Sequence, residues 1–403
     1  MAGPLHGFRV LDLSRILAGP WASQMLADLG AEVIKIERPG SGDDTRGWGP
    51  PYMSDVQGQA ISESAYFHGA NRGKQSVCID MSEPEGQQLL HQLVQRCDVV
   101  IENFKVGGLK KYQLDYESLK AINPAIVYCS ITGFGQDGPY ADRAGYDFMI
   151  QAMGGMMSVT GEADGQPMKI GVALADILTG LYAANAIQAA LIHQSKTGEG
   201  QYIDMALLDV QVATLANQAM NYLATGINPK RLGNAHPNIV PYQAFETADG
   251  YIILAVGNDS QFQRFCELSD ENWYTDERFT RNSDRVKNRE QLVPLVAGIM
   301  LTRTSADWLE ALNRRGIPCG PINNLEQVFD DPQVKHREIK RNLSHPTAGE
   351  VTTVANPIRL SGTPVTYEKA PPLLGQHTDI VLSELLELDE AQLRQLKESS
   401  IIA

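Results

Sequence analysis

The chain has 403 residues, of which 43% are hydrophobic and 20% are charged; this is enough to bury a sizeable core and long for one domain. Its formal net charge of −14 argues against nucleic acid or an anionic membrane as the main partner, because such partners need a broad basic surface. Its five cysteines are odd in number and form no Cys-x-x-Cys pair, which indicates neither a disulfide framework nor a zinc site and predicts a reducing, cytoplasmic location.

The first half of the chain predicts alternating strands and helices. Phe8–Leu13 and Glu32–Glu37 are typical of buried strands, and the helix predicted between them runs from Trp21 to Leu29. Further strand-like runs cover residues 76–80, 98–102, 125–131 and 200–205, with an amphipathic segment at 84–96. This order predicts a doubly wound α/β domain with a mainly parallel sheet. We find no segment long and apolar enough to span a bilayer.

The composition changes in the second half. A helical stretch at 207–223 precedes residues 226–241, which are rich in Gly, Asn and Pro and indicate a loop or linker. Beyond it, Tyr242–Phe245 and Tyr251–Val256 predict two paired strands around the Asp249–Gly250 turn, followed by helices to about residue 315. This pattern predicts a second, smaller α+β domain.

Asp176 is the best candidate for a reactive group. It is the single carboxylate at the start of an apolar, small-residue helix within residues 171–187. The positive end of the helix dipole and the unpaired N–H groups there should favour its ionised form, and an ionised carboxylate can be a nucleophile. The alternative is that Asp176 is an ordinary N-cap, a role in which Asp is common.

The signatures of several other chemistries are absent. The turn after Leu13 lacks Gly-x-Gly-x-x-Gly, and the chain has neither a phosphate-binding Gly-x-x-x-x-Gly-Lys-Ser/Thr loop nor a Gly-x-Ser-x-Gly elbow. No His-x-x-x-His spacing supports a catalytic metal. NAD, FAD and metal cofactors are therefore not expected.

Basic residues recur at the ends of the predicted strands. Ligands of doubly wound sheets bind outside the carboxyl ends of the strands, so these residues are candidates for an anion site, the alternative being solvated surface charge. They are Arg38, Arg46, Arg72, Lys74, Lys105, Lys110 and Lys111. Tyr146, in a polar loop that leads towards Asp176, is a candidate to face the same site or, alternatively, a half-buried packing residue.

Ordered motifs along almost the entire chain resemble the class III coenzyme A transferases, of the CaiB/BaiF type. They include Val10-Leu-Asp-Leu-Ser-Arg-Ile-Leu-Ala-Gly-Pro20, Glu102-Asn-Phe104, Thr132-Gly-Phe-Gly-Gln-Asp-Gly-Pro139, Ala175-Asp-Ile-Leu-Thr-Gly180 and Pro371-Pro-Leu-Leu-Gly-Gln-His-Thr-Asp379. The stretches at 230–236, 239–245 and 320–324 most resemble the succinate–hydroxymethylglutarate (glutarate) branch.

The resemblance implies a fold, a domain plan and a partner. The fold would be α/β, with a Rossmann-like large lobe, a smaller α+β lobe, and two subunits interlocked like rings as a homodimer. The large domain would comprise residues 1–225, the small domain 226–335, and the segment 336–403 would return to the large domain.

The resemblance also implies a chemistry. Asp176 would attack an acyl-CoA thioester to give an aspartyl anhydride, and CoA would then attack the anhydride to give an aspartyl-CoA thioester. The acceptor acid would repeat both steps in reverse, so acyl-CoA and small carboxylic acids are the substrates and no permanently bound cofactor is expected. The alternatives are a 2-methylacyl-CoA racemase and a CoA-binding protein without turnover.

Individual site residues follow from the same resemblance. Residues matching the family's CoA contacts are Leu17, Ala18, Arg38, Arg72, Lys74, Asn103, Phe104, Lys110, Lys111 and Met205. Tyr146 stands where related racemases have a histidine, which disfavours proton exchange because a phenol is a poor base near neutrality. The loop Leu232–Asn238 lacks the glycine run of formyl-CoA transferases, and Asn234 and His236 in it are candidates to contact a substrate carboxylate.

Overall fold

The structure, a computed structural model, describes residues 3–403. Its strands in chain order are β1 (Arg9–Asp12), β2 (Glu32–Glu37), β3 (Tyr52–Ser54), β4 (Ala60–Ser64), β5 (Lys74–Cys78), β6 (Val99–Glu102), β7 (Val127–Thr132), β8 (Tyr202–Ala206), β9 (Tyr242–Glu246), β10 (Tyr251–Ala255), β11 (Cys319–Pro321), β12 (Lys340–His345) and β13 (Gly349–Val354).

The α-helices alternate with these strands through much of the chain. They are α1 (Ala18–Asp28), α2 (Ala65–His68), α3 (Pro84–Val94), α4 (Tyr116–Ile122), α5 (Asp147–Met153), α6 (Met156–Val159), α7 (Leu174–Thr197), α8 (Leu207–Ala213), α9 (Ala216–Thr225), α10 (Asp259–Leu268), α11 (Asn282–Lys287), α12 (Arg289–Met300), α13 (Ser305–Arg314), α14 (Leu325–Asp330), α15 (Pro332–His336), α16 (Thr378–Leu386) and α17 (Glu390–Glu398).

The chain divides into two compact units. The first comprises the residues up to Met156, Ile170–Ala219 and Gln333–Ala403, and the second comprises Met157–Lys169 and Met220–Pro332. The second unit thus includes residues 157–169, which were expected in the large domain.

A parallel sheet forms the centre of the first unit. Among the described residues it has six strands in the order β5-β2-β1-β6-β7-β8, and each neighbouring pair is parallel. Counted within the sheet, this is the order 3-2-1-4-5-6 of dinucleotide-binding folds, in which the direction of winding reverses between the first and fourth strands. The predicted mainly parallel sheet is confirmed.

Helices cover both faces of this sheet because successive strand residues point to opposite sides. Leu11, Ile34 and Val100 belong to a core on one face, with α3, α4 and α16. Val10 and Val33 belong to a core on the other face, with α1 and α7. Burial on both faces explains why β6 and β7 are buried at nearly every position.

Helix α7 is built for close packing. An added Cβ at Gly180 would lie 2.7 Å from the carbonyl oxygen of Ala18, so α1 and α7 approach closely only because position 180 has no side chain. The helix ends at Gly198, whose φ of 77° fits the left-handed conformation common after a helix. The close contact brings the start of α1 beside the first turns of α7.

By length and composition alone, α7 could cross a membrane, contrary to the expectation that no such segment exists. Core helices of globular proteins pass the same test. Ala183, Ile187 and Leu191 of α7 pack in the core beside the sheet.

The second unit contains a small antiparallel sheet in the order β11-β10-β9. The predicted hairpin around Asp249–Gly250 is confirmed, with Tyr251 paired to Glu246. Phe262, Phe265 and Trp308 fill its separate core. The helix expected over 207–223 is instead broken between α8 and α9, where Ala216 has a φ of 46°.

Candidate active site

A cavity of about 470 Å³ opens in the first unit where β1 and β6 end. These adjacent strands are the first and fourth of the sheet, so the cavity lies at the point where the winding reverses, the usual ligand position in such sheets. Its lining comes from the segments after β1, β6 and β7, together with the first turn of α7: residues 15–18, 103–106, 108, 111–112, 131–133, 141, 143–146, Asp176 and Leu207.

The loop after β1 is held in a strained conformation. Ile16 has a φ of 73°, which is rare for a β-branched residue and persists only when neighbouring contacts enforce it. Asn103 supplies such contacts, because its side chain accepts a hydrogen bond from the Arg15 N–H at 2.9 Å and donates one to the Arg15 carbonyl at 2.7 Å. The Ile16 N–H donates to the carboxylate of Asp43 at 3.3 Å.

Asp176 lies in the first turn of α7 but is not its N-cap. Ala173 is the N-cap. The carboxylate of Asp147, on α5, accepts hydrogen bonds from the N–H groups of Ala175 at 2.8 Å and Asp176 at 3.4 Å. The alternative of an ordinary cap is therefore wrong: Asp147 does the capping, and the Asp176 carboxylate faces the cavity.

Gln151 ties Asp147 in place. Its side chain is fully buried, donates to the second oxygen of Asp147 at 2.8 Å, and accepts from the Ile170 N–H at 2.9 Å. Sequence reasoning missed Asp147, although it directly follows Tyr146 at the start of a helix.

Burial, and then the charge of Asp147, raise the pKa of Asp176 to about 7. The expectation that the helix start keeps Asp176 ionised is wrong in this respect, since the N–H groups that would stabilise it are already bonded to a second carboxylate. Burial and the charge of Asp176 also raise the pKa of the Tyr66 phenol, which puts Tyr66 within electrostatic range of the same carboxylate.

The cavity is basic apart from Asp176. Its charged lining residues are otherwise Arg15, Lys105, Lys111 and Arg143. In a chain with a net charge of −14, such a gathering of cations favours an anionic ligand.

Half of the site residues predicted from the sequence lie together around this cavity. Leu17, Ala18, Asn103, Phe104, Lys111 and Tyr146 line it with Asp176. The Tyr146 side chain is 67% exposed, so the alternative of a half-buried packing tyrosine does not describe it.

Three predicted contacts lie outside the cavity lining. Lys110 lines a neighbouring cavity of about 300 Å³ instead, Arg38 is exposed, and Met205 packs against the hydrophobic core.

Two further predicted contacts are structural in this structure. The Lys74 ammonium is fully buried and donates to Asp12 at 3.1 Å, to the Pro20 carbonyl and to Asn71. Arg72 is buried and paired with Asp28 through two hydrogen bonds. Both side chains direct their donors to protein groups. Moving either one to a phosphate would leave a buried carboxylate without its partner.

His236 and Asn234 belong to the second unit. His236 Nδ1 accepts a hydrogen bond from the Asn238 N–H at 3.1 Å, and the ring packs on Tyr242. Burial and the nearby Arg289 lower the pKa of His236, so it is a neutral donor rather than a cation near neutral pH. Asn234 is exposed.

Glu63, His68 and His345 place their ligand atoms within 4.8 Å of one another in the described part of the chain. Glu63 is already paired with Arg46 at 2.9 Å. His345 Nδ1 accepts from the Ala348 N–H at 3.1 Å, so Nε2 bears the proton of the neutral ring. Both features suit an internal hydrogen-bond cluster better than a metal site.

Known proteins resemble this chain along nearly its whole length. A family model described as CoA-transferase family III matches residues 5–378. A succinate–glutarate CoA-transferase of Agrobacterium fabrum is 55% identical over 95% of this chain and 96% of its own length. A succinyl-CoA:glutarate CoA-transferase of Mus musculus is 44% identical over 99% of this chain and 90% of its own length.

A solved structure shares the fold. The crystal structure of a CaiB/BaiF family protein from Brucella suis has a TM-score of 0.84 and 53% identity, covering 96% of this chain and 100% of that one.

Proposed function

This chain belongs to CoA-transferase family III, and we propose that it moves CoA between a dicarboxylic acyl-CoA, such as succinyl-CoA, and a dicarboxylic acid such as glutarate. The observation that most directly supports the reaction is the position of the Asp176 carboxylate. It is not used as a helix cap, and Asp176 is half-buried in a basic cavity at the carboxyl ends of β1 and β6. Relatives named for succinate, glutarate and their CoA esters support the substrate class.

Asp176 is the proposed nucleophile. Its carboxylate oxygen attacks the thioester carbonyl, the carbon–sulfur bond breaks, and CoA leaves as a thiolate from an aspartyl anhydride. The thiolate then attacks the Asp176 carbonyl of the anhydride and releases the donor acid, leaving an aspartyl-CoA thioester. The acceptor carboxylate attacks that thioester and reverses both steps, so the chemistry needs only the carboxylate and the two substrates.

The surroundings of Asp176 suit a carboxylate that first attacks as a nucleophile and then carries the acyl group. A group with a pKa of about 7 is ionised in a large fraction of molecules near neutrality. Partial desolvation makes the ionised form costly, so part of that cost is relieved when the charge is lost on acylation. The basic residues of the cavity attract the CoA ester, whose phosphates are anionic.

We also propose the homodimer with interlocked subunits and a cytoplasmic location. The family membership supports the dimer, and the five cysteines, which are free in the structure, support a reducing compartment. Light scattering of the purified protein checks the dimer.

An exchange experiment tests the function. The protein is incubated with succinyl-CoA and a panel of dicarboxylic and monocarboxylic acids, and new CoA thioesters are followed by mass spectrometry. We expect glutaryl-CoA to form. Loss of the α-deuterium of a 2-methylacyl-CoA without exchange would indicate the racemase instead, and thermal stabilisation by CoA without turnover would indicate a binding protein.

A further inference from the structure

A guanidinium in the cavity wall has no acidic partner. Arg143 lines the same cavity as Asp176, and within residues 3–403 it forms no ion pair. Arg15, on the opposite loop, is by contrast paired with Asp44 at 3.0 Å. An unpaired arginine inside a cavity remains available to an anionic ligand.

The Arg143 side chain is nevertheless held in place by aromatic rings. Its guanidinium lies 4.6 Å from the ring centre of Tyr140 and 5.7 Å from that of Phe134. The two rings contact each other edge to face at 5.5 Å. Stacking on aromatic faces leaves the edge of a guanidinium, with its N–H groups, free to bind.

The loop that holds Arg143 is fixed to the sheet. An added Cβ at Gly145 would lie 2.3 Å from the Cα of Gly133, which follows β7, so the two backbones touch. The Arg143 N–H donates to the Tyr140 carbonyl at 2.9 Å. Arg143 therefore stands on a defined turn.

The position of Arg143 along the chain links it to the surroundings of Asp176. It lies four residues before Asp147, whose carboxylate bonds the N–H groups of Ala175 and Asp176. Lys105 and Lys111 are on a different segment, the one that follows β6. Arg15 is on a third segment, the loop after β1, so of the four cavity cations only Arg143 belongs to the loop that leads to Asp147.

We propose that Arg143 binds the second carboxylate of a dicarboxylic acyl group or acceptor and so selects dicarboxylic over monocarboxylic acids. When one carboxylate of such an acid reacts at Asp176, the other keeps its charge and needs a partner. A guanidinium offers two parallel N–H donors that match a carboxylate. A site built to bind that group should discriminate against an acid that lacks it. The inference rests on the proposed function.

Glutarate and valerate are a suitable pair of acceptors, because valerate has the same chain length with a methyl group in place of one carboxylate. Transfer from saturating succinyl-CoA to each acid is measured for the wild type, Arg143→Gln and Arg143→Lys. Both acceptors meet the same enzyme–CoA intermediate, so the ratio of their kcat/KM values cancels effects on the donor.

We expect Arg143→Gln to lower kcat/KM for glutarate by about 10-fold to 100-fold, the range for a lost hydrogen bond to a charged group. The value for valerate should change less than about 3-fold. Arg143→Lys, which retains the charge but loses the paired donors, should fall between the wild type and Arg143→Gln.

Lys111→Gln is the matched control, since it removes one positive charge from another part of the same cavity. It should raise the KM for succinyl-CoA and leave the glutarate-to-valerate ratio unchanged. A ratio unchanged in Arg143→Gln, or changed equally by both variants, overturns the assignment of Arg143. A wild type that transfers CoA to no acid would instead refute the proposed function itself.

Discussion

Asp176 and Asp147 form an unequal pair of carboxylates. Asp147 accepts hydrogen bonds from two backbone N–H groups and from Gln151, whereas no hydrogen bond to the Asp176 carboxylate is found among the described residues. The backbone N–H groups at the helix start are thus bonded to Asp147, and burial together with the charge of Asp147 raises the pKa of Asp176. The two carboxylates therefore differ in function: Asp147 caps helix α7, and Asp176 faces the cavity.

A pH profile follows from this pair. Asp176 must be ionised to act as the proposed nucleophile, and its pKa is about 7, so the rate of the first half-reaction should rise with pH and level off above about 7. Release of CoA from succinyl-CoA in a single turnover, measured from about pH 5 to about pH 9, checks this. A rate that is flat down to about pH 5 would show that Asp176 ionises as an ordinary Asp does.

The same shift affects stability. Burial raises the folded-state pKa of Asp176 above 3.8, the ordinary value for Asp, so the folded state binds the proton more tightly than the unfolded chain does. Wild-type stability therefore falls as pH rises from about 4 to about 7. Asp176→Asn does not lose stability in this way, because its amide does not ionise. Its free energy of unfolding at about pH 8 should exceed that of the wild type by up to about 4 kcal/mol, with no difference at about pH 4. Urea denaturation at both pH values measures it; equal stability at about pH 8 would contradict the shift.

Asp147 offers a third test. Asp147→Asn retains an oxygen for the Ala175 N–H but removes the charge, so the midpoint of the pH profile should move below about 7. Asp147→Ala should also lose the cap, at a further cost of about 1 kcal/mol in the free energy of unfolding, with a lower kcat. Both variants lose the bond from Gln151, so comparing them separates charge from capping. If the midpoint of the pH profile is the same in Asp147→Asn as in the wild type, the charge of Asp147 does not affect Asp176.

At the scale of elements, the site depends on how α1 and α7 meet. Leu17 and Ala18, at the start of α1, line the cavity with Asp176, and the contact between Gly180 and the Ala18 carbonyl fixes their approach. Asn103 then joins the loop after β6 to the loop after β1. The cavity wall is therefore set by backbone contacts as much as by side chains.

Gly180→Ala should disturb this wall. The new Cβ would lie 2.7 Å from a backbone oxygen, so α1 must shift, at a cost of about 1–3 kcal/mol in the free energy of unfolding and with reduced kcat/KM for acyl-CoA. Gly298→Ala, inside α12, is the matched control, because its Cβ meets nothing within 4 Å and alanine favours helix by about 1 kcal/mol. If both variants behave alike in thermal unfolding and turnover, close packing at Gly180 does not set the site.

Strands such as β6 and β7 were predictable because they are buried at nearly every position and read as short, mostly hydrophobic runs. β2 begins and ends where the sequence predicts, and the other sheet strands agree within about two residues. The break between α8 and α9 was not predictable, since residues 213–215 contain neither Gly nor Pro. There the Leu215 N–H bonds to Val212, closing a tighter turn that ends the helix.

Across the whole molecule, the positively charged residues are of two kinds: those buried in structural ion pairs and those that line the cavity. Lys35, Lys74 and Arg72 are buried in ion pairs with Asp43, Asp12 and Asp28, while the cations of the cavity face its interior. From the sequence both groups look alike, since their members lie within strands or in the segments that join strands to their neighbours. Only the folded chain shows which carboxylate, distant in sequence, stands beside each one.

The candidate site was therefore predictable in part. The family motifs identify Asp176, Tyr146 and the loops at 15–18 and 103–104, which the structure brings to one cavity. They do not identify Asp147, whose role depends on two backbone N–H groups in another helix, or Arg143, which is notable only because it lacks an acidic partner.

Covalent trapping shows whether Asp176 is the nucleophile. The protein is incubated with succinyl-CoA, treated with hydroxylamine, digested, and the peptide that contains Asp176 is examined by mass spectrometry. We expect a hydroxamate on Asp176 that forms only when succinyl-CoA is present, and none in Asp176→Asn. Transfer of CoA with no label on Asp176, or a label on another carboxylate, would contradict it.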